Sequence, residues 1–257
     1  MKKTLLAIAA ATASTVVFAQ AAAPTPDYTW AFNVGVVTDY RYRGISQTRK
    51  DPALQGGIDF SHKSGFYLGT WASTIKWIKD IGSASGVNVG SPDAEVDFYG
   101  GFKNTFGDSG VGYDIGVLRY QYFGNHLNRV PGFVNANTTE IYGALSYSVV
   151  TAKYSRSTGN LFGNPSSSGS GYLDVSATFD LGNGFSLVPH IGHQSIRNGG
   201  FYSYTDYALT VGKDFGNGFS ASLAAIGTNA HRGAYVEPNG TTQLGRGTLV
   251  AGVKYTF

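Results

Sequence analysis

Tyr28-Thr-Trp-Ala-Phe-Asn-Val-Gly-Val-Val-Thr-Asp-Tyr-Arg-Tyr-Arg43 alternates apolar and polar side chains with a period of two. Trp30, Phe32, Val34, Val36, Tyr40 and Tyr42 fall on one face, and Asn33, Gly35, Asp39, Arg41 and Arg43 on the other. Successive side chains of a strand point to opposite sides, so this stretch has one apolar and one polar face. Taken as unbroken, it is far longer than the roughly five or six residues usual for a globular strand. The pattern recurs. Leu54, Ile58 and Phe60 oppose Gln55, Asp59 and Ser61; Val96, Phe98 and Phe102 oppose Glu95, Asp97 and Tyr99; Ile141, Leu145 and Tyr147 oppose Glu140, Tyr142 and Ser146; Leu173, Val175, Ala177 and Phe179 oppose Asp174, Ser176 and Thr178.

The alternation predicts strands near 28–43, 53–62, 66–77, 94–103, 111–122, 138–148, 150–157, 171–180, 185–194, 204–214, 219–228 and 247–257. Its phase slips near Leu118, where a bulge would restore it. Every second connection is tight, and the others are mostly long and rich in Gly, Asn, Ser and Pro. Two tight turns are almost identical, Asp180-Leu-Gly-Asn-Gly-Phe-Ser186 and Asp214-Phe-Gly-Asn-Gly-Phe-Ser220, and Asn-Gly supplies the positive φ of a close hairpin. A soluble β-sandwich also alternates. Short turns at one end and long loops at the other instead predict an all-β fold: an antiparallel transmembrane β-barrel of about 12 strands, with short periplasmic turns and long extracellular loops.

The last strand sets Leu249, Ala251, Val253, Tyr255 and Phe257 on its apolar face. A Phe-terminated amphipathic strand resembles the recognition strand read by the outer-membrane assembly machinery. Val253, Tyr255 and Phe257 are therefore the expected assembly signal, with that machinery and the periplasmic chaperones as partners. At the other end, Lys2 and Lys3, the apolar Leu5–Phe18 run and Ala19-Gln20-Ala21 read as a cleaved signal peptide over 1–21, leaving 22–257 as the barrel. The expected location is the outer membrane of a Gram-negative cell, in contact with its lipid and lipopolysaccharide.

Composition agrees with strands in lipid. Only 14% of residues are charged, against about 25% in a soluble domain. There is no Cys, which excludes disulfides, thiolate metal sites and cysteine nucleophiles. The formal charge of +3 includes Lys2 and Lys3 and gives no reason to expect nucleic acid. Tyr28, Trp30, Phe185, Phe219 and Phe257 lie at strand ends on the short-turn side, and Tyr40, Tyr42, Tyr120, Tyr122, Tyr147 and Tyr204 at other strand ends. Such rings suit the two membrane interfaces.

The polar face then lines a lumen. Its candidates are Asp39, Arg41, Arg43, Asp59, Glu95, Asp97, Asp114, Glu140, Lys153, Asp174, His190, Asp206 and Lys254. They fit a charged channel for passive diffusion of small polar or charged solutes. They fit equally an internal network filling a narrow barrel, since eight strands are full of their own side chains and sixteen leave a pore. The long-loop side is basic, with Arg49, Lys50, Arg129, Arg156, Arg197, Arg232 and Arg246. These residues could be solvated, draw in anions, or meet lipopolysaccharide phosphate. No residue set calls for a metal or cofactor.

Asp39-Tyr-Arg-Tyr-Arg-Gly-Ile-Ser-Gln-Thr48, with Gly65-Phe-Tyr-Leu-Gly-Thr-Trp-Ala-Ser73, Ala94-Glu-Val-Asp-Phe-Tyr-Gly-Gly101 and Tyr172-Leu-Asp-Val-Ser176, resembles the TorF family of proteobacterial porins, also known as Gcw_chp. The most specific piece is Arg43-Gly44-Ile45-Ser46-Gln47. The resemblance covers essentially the whole chain after the signal. It implies an outer-membrane barrel with a channel role, and neither a solute nor catalytic residues. Two alternatives stand beside the channel: a non-conducting structural or adhesive barrel, and a lipid hydrolase. His193-Gln-Ser195 places a base and a hydroxyl on one strand face, like the His-x-Ser of outer-membrane phospholipases and lipid A deacylases. The Asn-Gly expected directly after that Ser is displaced to Asn198-Gly199, and His62-Lys-Ser64 repeats the spacing. The chain is read as a channel rather than an enzyme.

Overall fold

The computed structural model describes residues 26–237, 240 and 242–257, so the expected signal segment lies outside the described residues. Twelve barrel strands follow in chain order: β1 (Tyr28–Val37), β2 (Ala53–His62), β3 (Phe66–Thr74), β4 (Ala94–Thr105), β5 (Val111–Gln121), β6 (Thr138–Tyr147), β7 (Val150–Ser157), β8 (Gly171–Ala177, continued by Phe179–Gly182), β9 (Phe185–Ser195), β10 (Tyr204–Gly216), β11 (Phe219–Thr228) and β12 (Thr248–Thr256). Each pairs antiparallel with the next, and β1 pairs with both β2 and β12, which closes the sheet into a barrel. At the seam Phe32 and Phe257 exchange backbone hydrogen bonds of 3.0 and 2.9 Å, and their rings stack.

The twin turns fold alike. Asn183-Gly184 and Asn217-Gly218 take positive φ at both positions, the conformation that matches strand twist. Each is preceded by a register shift, at Asp180/Gly182 and Asp214/Gly216. Elsewhere four local expectations change. The phase slip at Leu118 is no bulge: β5 keeps register with β4 and β6, and Leu118 faces inward opposite Glu140. β8 breaks at Thr178, one residue beyond Ala177, which lies across from Pro189, a residue with no N–H for the ladder. β3 ends at Thr74, and the loop beyond it contains a helix, α1 (Trp77–Ser85), closed by Gly86 in the left-handed region. Finally, β1 ends at Val37, not Arg43.

The outward side chains form an apolar belt: Trp30, Leu54, Leu68, Ile115, Leu145, Leu173, Leu209 and Leu249 are all exposed. Exposure of this extent is unfavourable in water and favourable in hydrocarbon. No helix among the described residues is long and apolar enough to cross a membrane; strands form the wall.

On the inner face, tyrosines lie against glycines of neighbouring strands. A Cβ built on Gly69 would meet the Tyr99 ring at 2.3 Å, one on Gly116 the Tyr142 hydroxyl at 2.4 Å, and one on Gly192 the Tyr172 hydroxyl at 2.1 Å. Glycine lets the rings lie flat along the wall, which accounts for the joint excess of the two residue types. Gly101 is confined by backbone as well as by a ring, with Ile115 O at 2.3 Å and the Tyr67 hydroxyl at 2.5 Å from its would-be Cβ. Gly101→Val should therefore reduce the folded, heat-modifiable band on gels to a minor fraction. Gly143→Val, on the outer face with open space around it, should leave the band unchanged.

Candidate channel lumen and mouth

Beyond β1 the chain turns into the barrel rather than continuing along its wall. Thr38 makes the last contacts with β12, its N–H donating to Ala251 O at 2.9 Å. Asp39 then gathers the segment: it accepts from Ser46 Oγ and Arg41 Nε, each at 2.6 Å. Arg41–Tyr42 pairs with Ile45–Ser46 in a short hairpin. Arg43 and Gly44 form its turn, with φ of 47° and 78°, as a two-residue hairpin of the primed type requires. Gly44 is also pressed against the wall, since a Cβ there would lie 2.5 Å from Thr228 and 2.8 Å from Asp206.

Arg43 carries the hairpin across the lumen. Its guanidinium donates to Glu140 Oε2 on β6 at 2.7 Å and to Gln194 Oε1 on β9 at 2.5 Å. It also lies over the rings of Tyr172 (4.1 Å) and Tyr42 (4.7 Å). Burial opposes the charge of Arg43, but Glu140 and the surrounding tyrosines outweigh it and hold the pKa above the ordinary arginine value. Arg41 is anchored to Gly44 O and Arg246 O. Gln47 O accepts the Lys76 and Trp77 N–H groups where α1 begins. The motif Arg43–Gln47 therefore joins the far wall to the loop helix.

Tyrosines fill the space around the hairpin. Tyr40 and Tyr122 both donate to Glu95, at 2.5 and 2.6 Å; Tyr42 donates to Tyr120, which reaches Glu140 at 3.3 Å. Tyr40, Tyr120, Tyr122 and Tyr204 are buried, so they and Tyr42 belong to the mouth and not to the expected outer ring. Tyr147 is exposed, but at the short-turn end. Over the mouth, Ile75, Ile78, Val89, Leu127 and Val130 pack on Tyr40 and Tyr122 as a small apolar cap, and Ile45 packs with Tyr204 and Leu244.

The candidate residues thus separate into levels. Asp39, Arg41 and Arg43 sit on the hairpin, not on the wall. Glu95, Asp97, Glu140 and Asp206 are buried on the wall. Two buried polar atoms, Arg41 Nη2 on the hairpin and Asp97 Oδ1 on the wall, have no hydrogen-bond partner among the described residues. Asp59, Asp114, Asp174, His190, Lys153 and Lys254 are half-buried on the inner face. Tyr99 donates to Asp59 at 2.5 Å and Tyr67 to Asp114 at 2.6 Å. His190 bridges Asp174 (2.8 Å) and Asp206 (3.5 Å), while Lys153 covers the Tyr142 ring at 3.9 Å. The sequence pattern marks the charges but not the tyrosines and Gln194 that hold them. Their inward strand phase was the available signal. Val253 and Tyr255 of the expected assembly signal point outward, with Phe257 beyond them.

The His-x-Ser pair is not assembled. His193 Nδ1 meets Thr205 Oγ1 at 3.0 Å, whereas the His62–Ser64 repeat is the one in contact, at 2.9 Å.

Residues 21–257 match the family described as "Bacterial protein of unknown function (Gcw_chp)". The chain belongs to the Gcw_chp family. No curated protein matches this Gcw_chp chain in sequence. Among solved structures it is similar to the KdgM porin, with a TM-score of 0.54 at 8% identity over 88% of this chain and 99% of that one. It is also similar to a KdgM porin in complex with disordered oligogalacturonate (TM-score 0.53, 8% identity, 88% and 99% covered) and to the NanC porin (0.53, 12% identity, 89% and 99% covered). At such identities the likeness shows the fold.

The Arg43–Glu140 pair gives a test of the Gcw_chp mouth. Both side chains are almost wholly buried, so Arg43→Ala strands a carboxylate and should cost about 3–5 kcal/mol of unfolding free energy. Arg43→Met with Glu140→Leu should recover most of that loss in denaturant titrations of the lipid-reconstituted barrel.

Proposed function

We propose that this Gcw_chp protein is an outer-membrane channel for passive diffusion of small polar or charged solutes. The observation that carries the reading is the division of the closed barrel into an apolar outer belt and a charged, half-buried inner face. The porin fold of KdgM and NanC, which this chain shares, supports a channel. The separation of His193 from a partnered serine favours it over a hydrolase.

The geometry gives the channel two further properties. The Arg41–Ser46 hairpin stands across the mouth, so conduction depends on how firmly Arg43 holds it. On the inner face carboxylates outnumber cations once the Arg41–Asp39 and Arg43–Glu140 pairs are set aside. Rings of one charge sign set ion preference, so the lumen favours cations. This contrasts with the polyanionic oligogalacturonate in the KdgM complex.

Planar-bilayer recording tests the reading. Wild type is expected to conduct weakly, and Arg43→Ala several-fold more. In a KCl gradient the reversal potential should take the cation-selective sign and move toward zero in Asp59→Asn/Asp114→Asn. A correctly folded barrel that never conducts, in wild type or Arg43→Ala, would dismiss the channel.

A further inference from the structure

Two arginines stand on the outer wall where the apolar belt ends. Arg119 on β5 and Arg156 on β7 point outward, in phase with Val117 and Tyr154. Outward Arg or Lys costs about 2–4 kcal/mol at the bilayer midplane and about 0–1 near the interface. Their places near the long-loop ends of these strands therefore set the headgroup level.

A third arginine, Arg197, follows β9 and is exposed, as is Arg156. Gly169, in the loop between β7 and β8, locates the pair. A Cβ built there would have Arg156 Nη2 at 3.3 Å and Arg197 Nη1 at 3.5 Å. The two guanidinium nitrogens are thus no more than about 7 Å apart and repel each other. Neither has a carboxylate within ion-pair distance among the described residues; Arg197 donates to Ser168 O at 3.3 Å. The loop cations near β2–β4 are matched instead: Arg49 with Asp80, Lys76 with Asp51 and Lys79 with Asp93. Arg156 and Arg197, by contrast, stand side by side next to the lipid, two like charges with no acid between them.

We infer that Arg156 and Arg197 form a binding site for the phosphate of a phosphorylated outer-leaflet lipid. Guanidinium forks match phosphate oxygens bidentately and at short range. An anion seated between the two would also relieve their repulsion. The inference rests on the outer-membrane reading, because only there does such a lipid face the long loops.

The test uses the full barrel in nanodiscs, titrated with diphosphoryl lipid A, with the same lipid dephosphorylated, and with inorganic phosphate. Insertion is read first from heat-modifiable gel mobility. Wild type should bind the phosphorylated lipid at least tenfold more tightly than the dephosphorylated one. Arg156→Gln/Arg197→Gln should lose that margin while folding normally, and Lys213→Gln, at the short-turn rim, should keep it. Equal binding by the double variant, or no preference for phosphorylated lipid in wild type, would overturn the site. Inorganic phosphate bound as tightly as the lipid would make it a free-anion site and overturn the lipid assignment. A wild type that enters no bilayer would defeat the outer-membrane reading and this inference with it.

Discussion

The constraint behind the whole molecule is that backbone N–H and C=O groups facing hydrocarbon must be paired within the protein. A sheet meets it only by closing, so the pairing of β1 with β12 has an importance beyond its few hydrogen bonds. Once the seam exists, the period-two alternation has a fixed meaning: one set of side chains meets lipid and the other meets the interior. The breaks in the ladder lie where they are tolerated, at the short-turn bulges and at Thr178, next to the position across from Pro189.

Closure also defines an interior that must be filled or hydrated. Here tyrosine does both tasks. Its ring lies along a glycine of the next strand, and its hydroxyl reaches a carboxylate, as Tyr67 does with Asp114 and Tyr99 with Asp59. Buried acids are costly unless hydrogen-bonded, and the phenols supply those bonds without adding charge. At the mouth the same chemistry grips the hairpin, with Arg43 reaching three wall strands through Glu140, Tyr172 and Gln194.

Much of the fold was legible because a strand writes its orientation into its sequence. Leu173 to Phe179 alternates cleanly, and the Asn-Gly turns announce their own φ. The departure of the chain at Thr38 was hidden, because Tyr40, Arg41, Tyr42 and Arg43 continue the alternation by coincidence of two hairpin strands. Only Gly44, which permits the turn, distinguished the two paths. Tyrosine is ambiguous in a related way: its amphipathic ring suits a membrane interface and a polar interior alike, and Tyr40, Tyr120 and Tyr204 take the interior. The helix Trp77–Ser85 was obscured by its Gly and Ser content. The lumen charges were readable residue by residue, but their partners come from distant strands and needed the closed sheet.

The hairpin that spans the mouth also orders the events of folding. Arg43 meets Glu140 at a sequence separation of 97 and Gln194 at 151, and its turn rests on Asp206 and Thr228. None of these contacts exists until β6 through β11 have been laid down and the seam has joined. Contacts between residues so far apart along the chain form late, because the entropy of closing the loops between them must be met first. The segment between β1 and β2, although among the first parts of the barrel to be synthesised, therefore docks last.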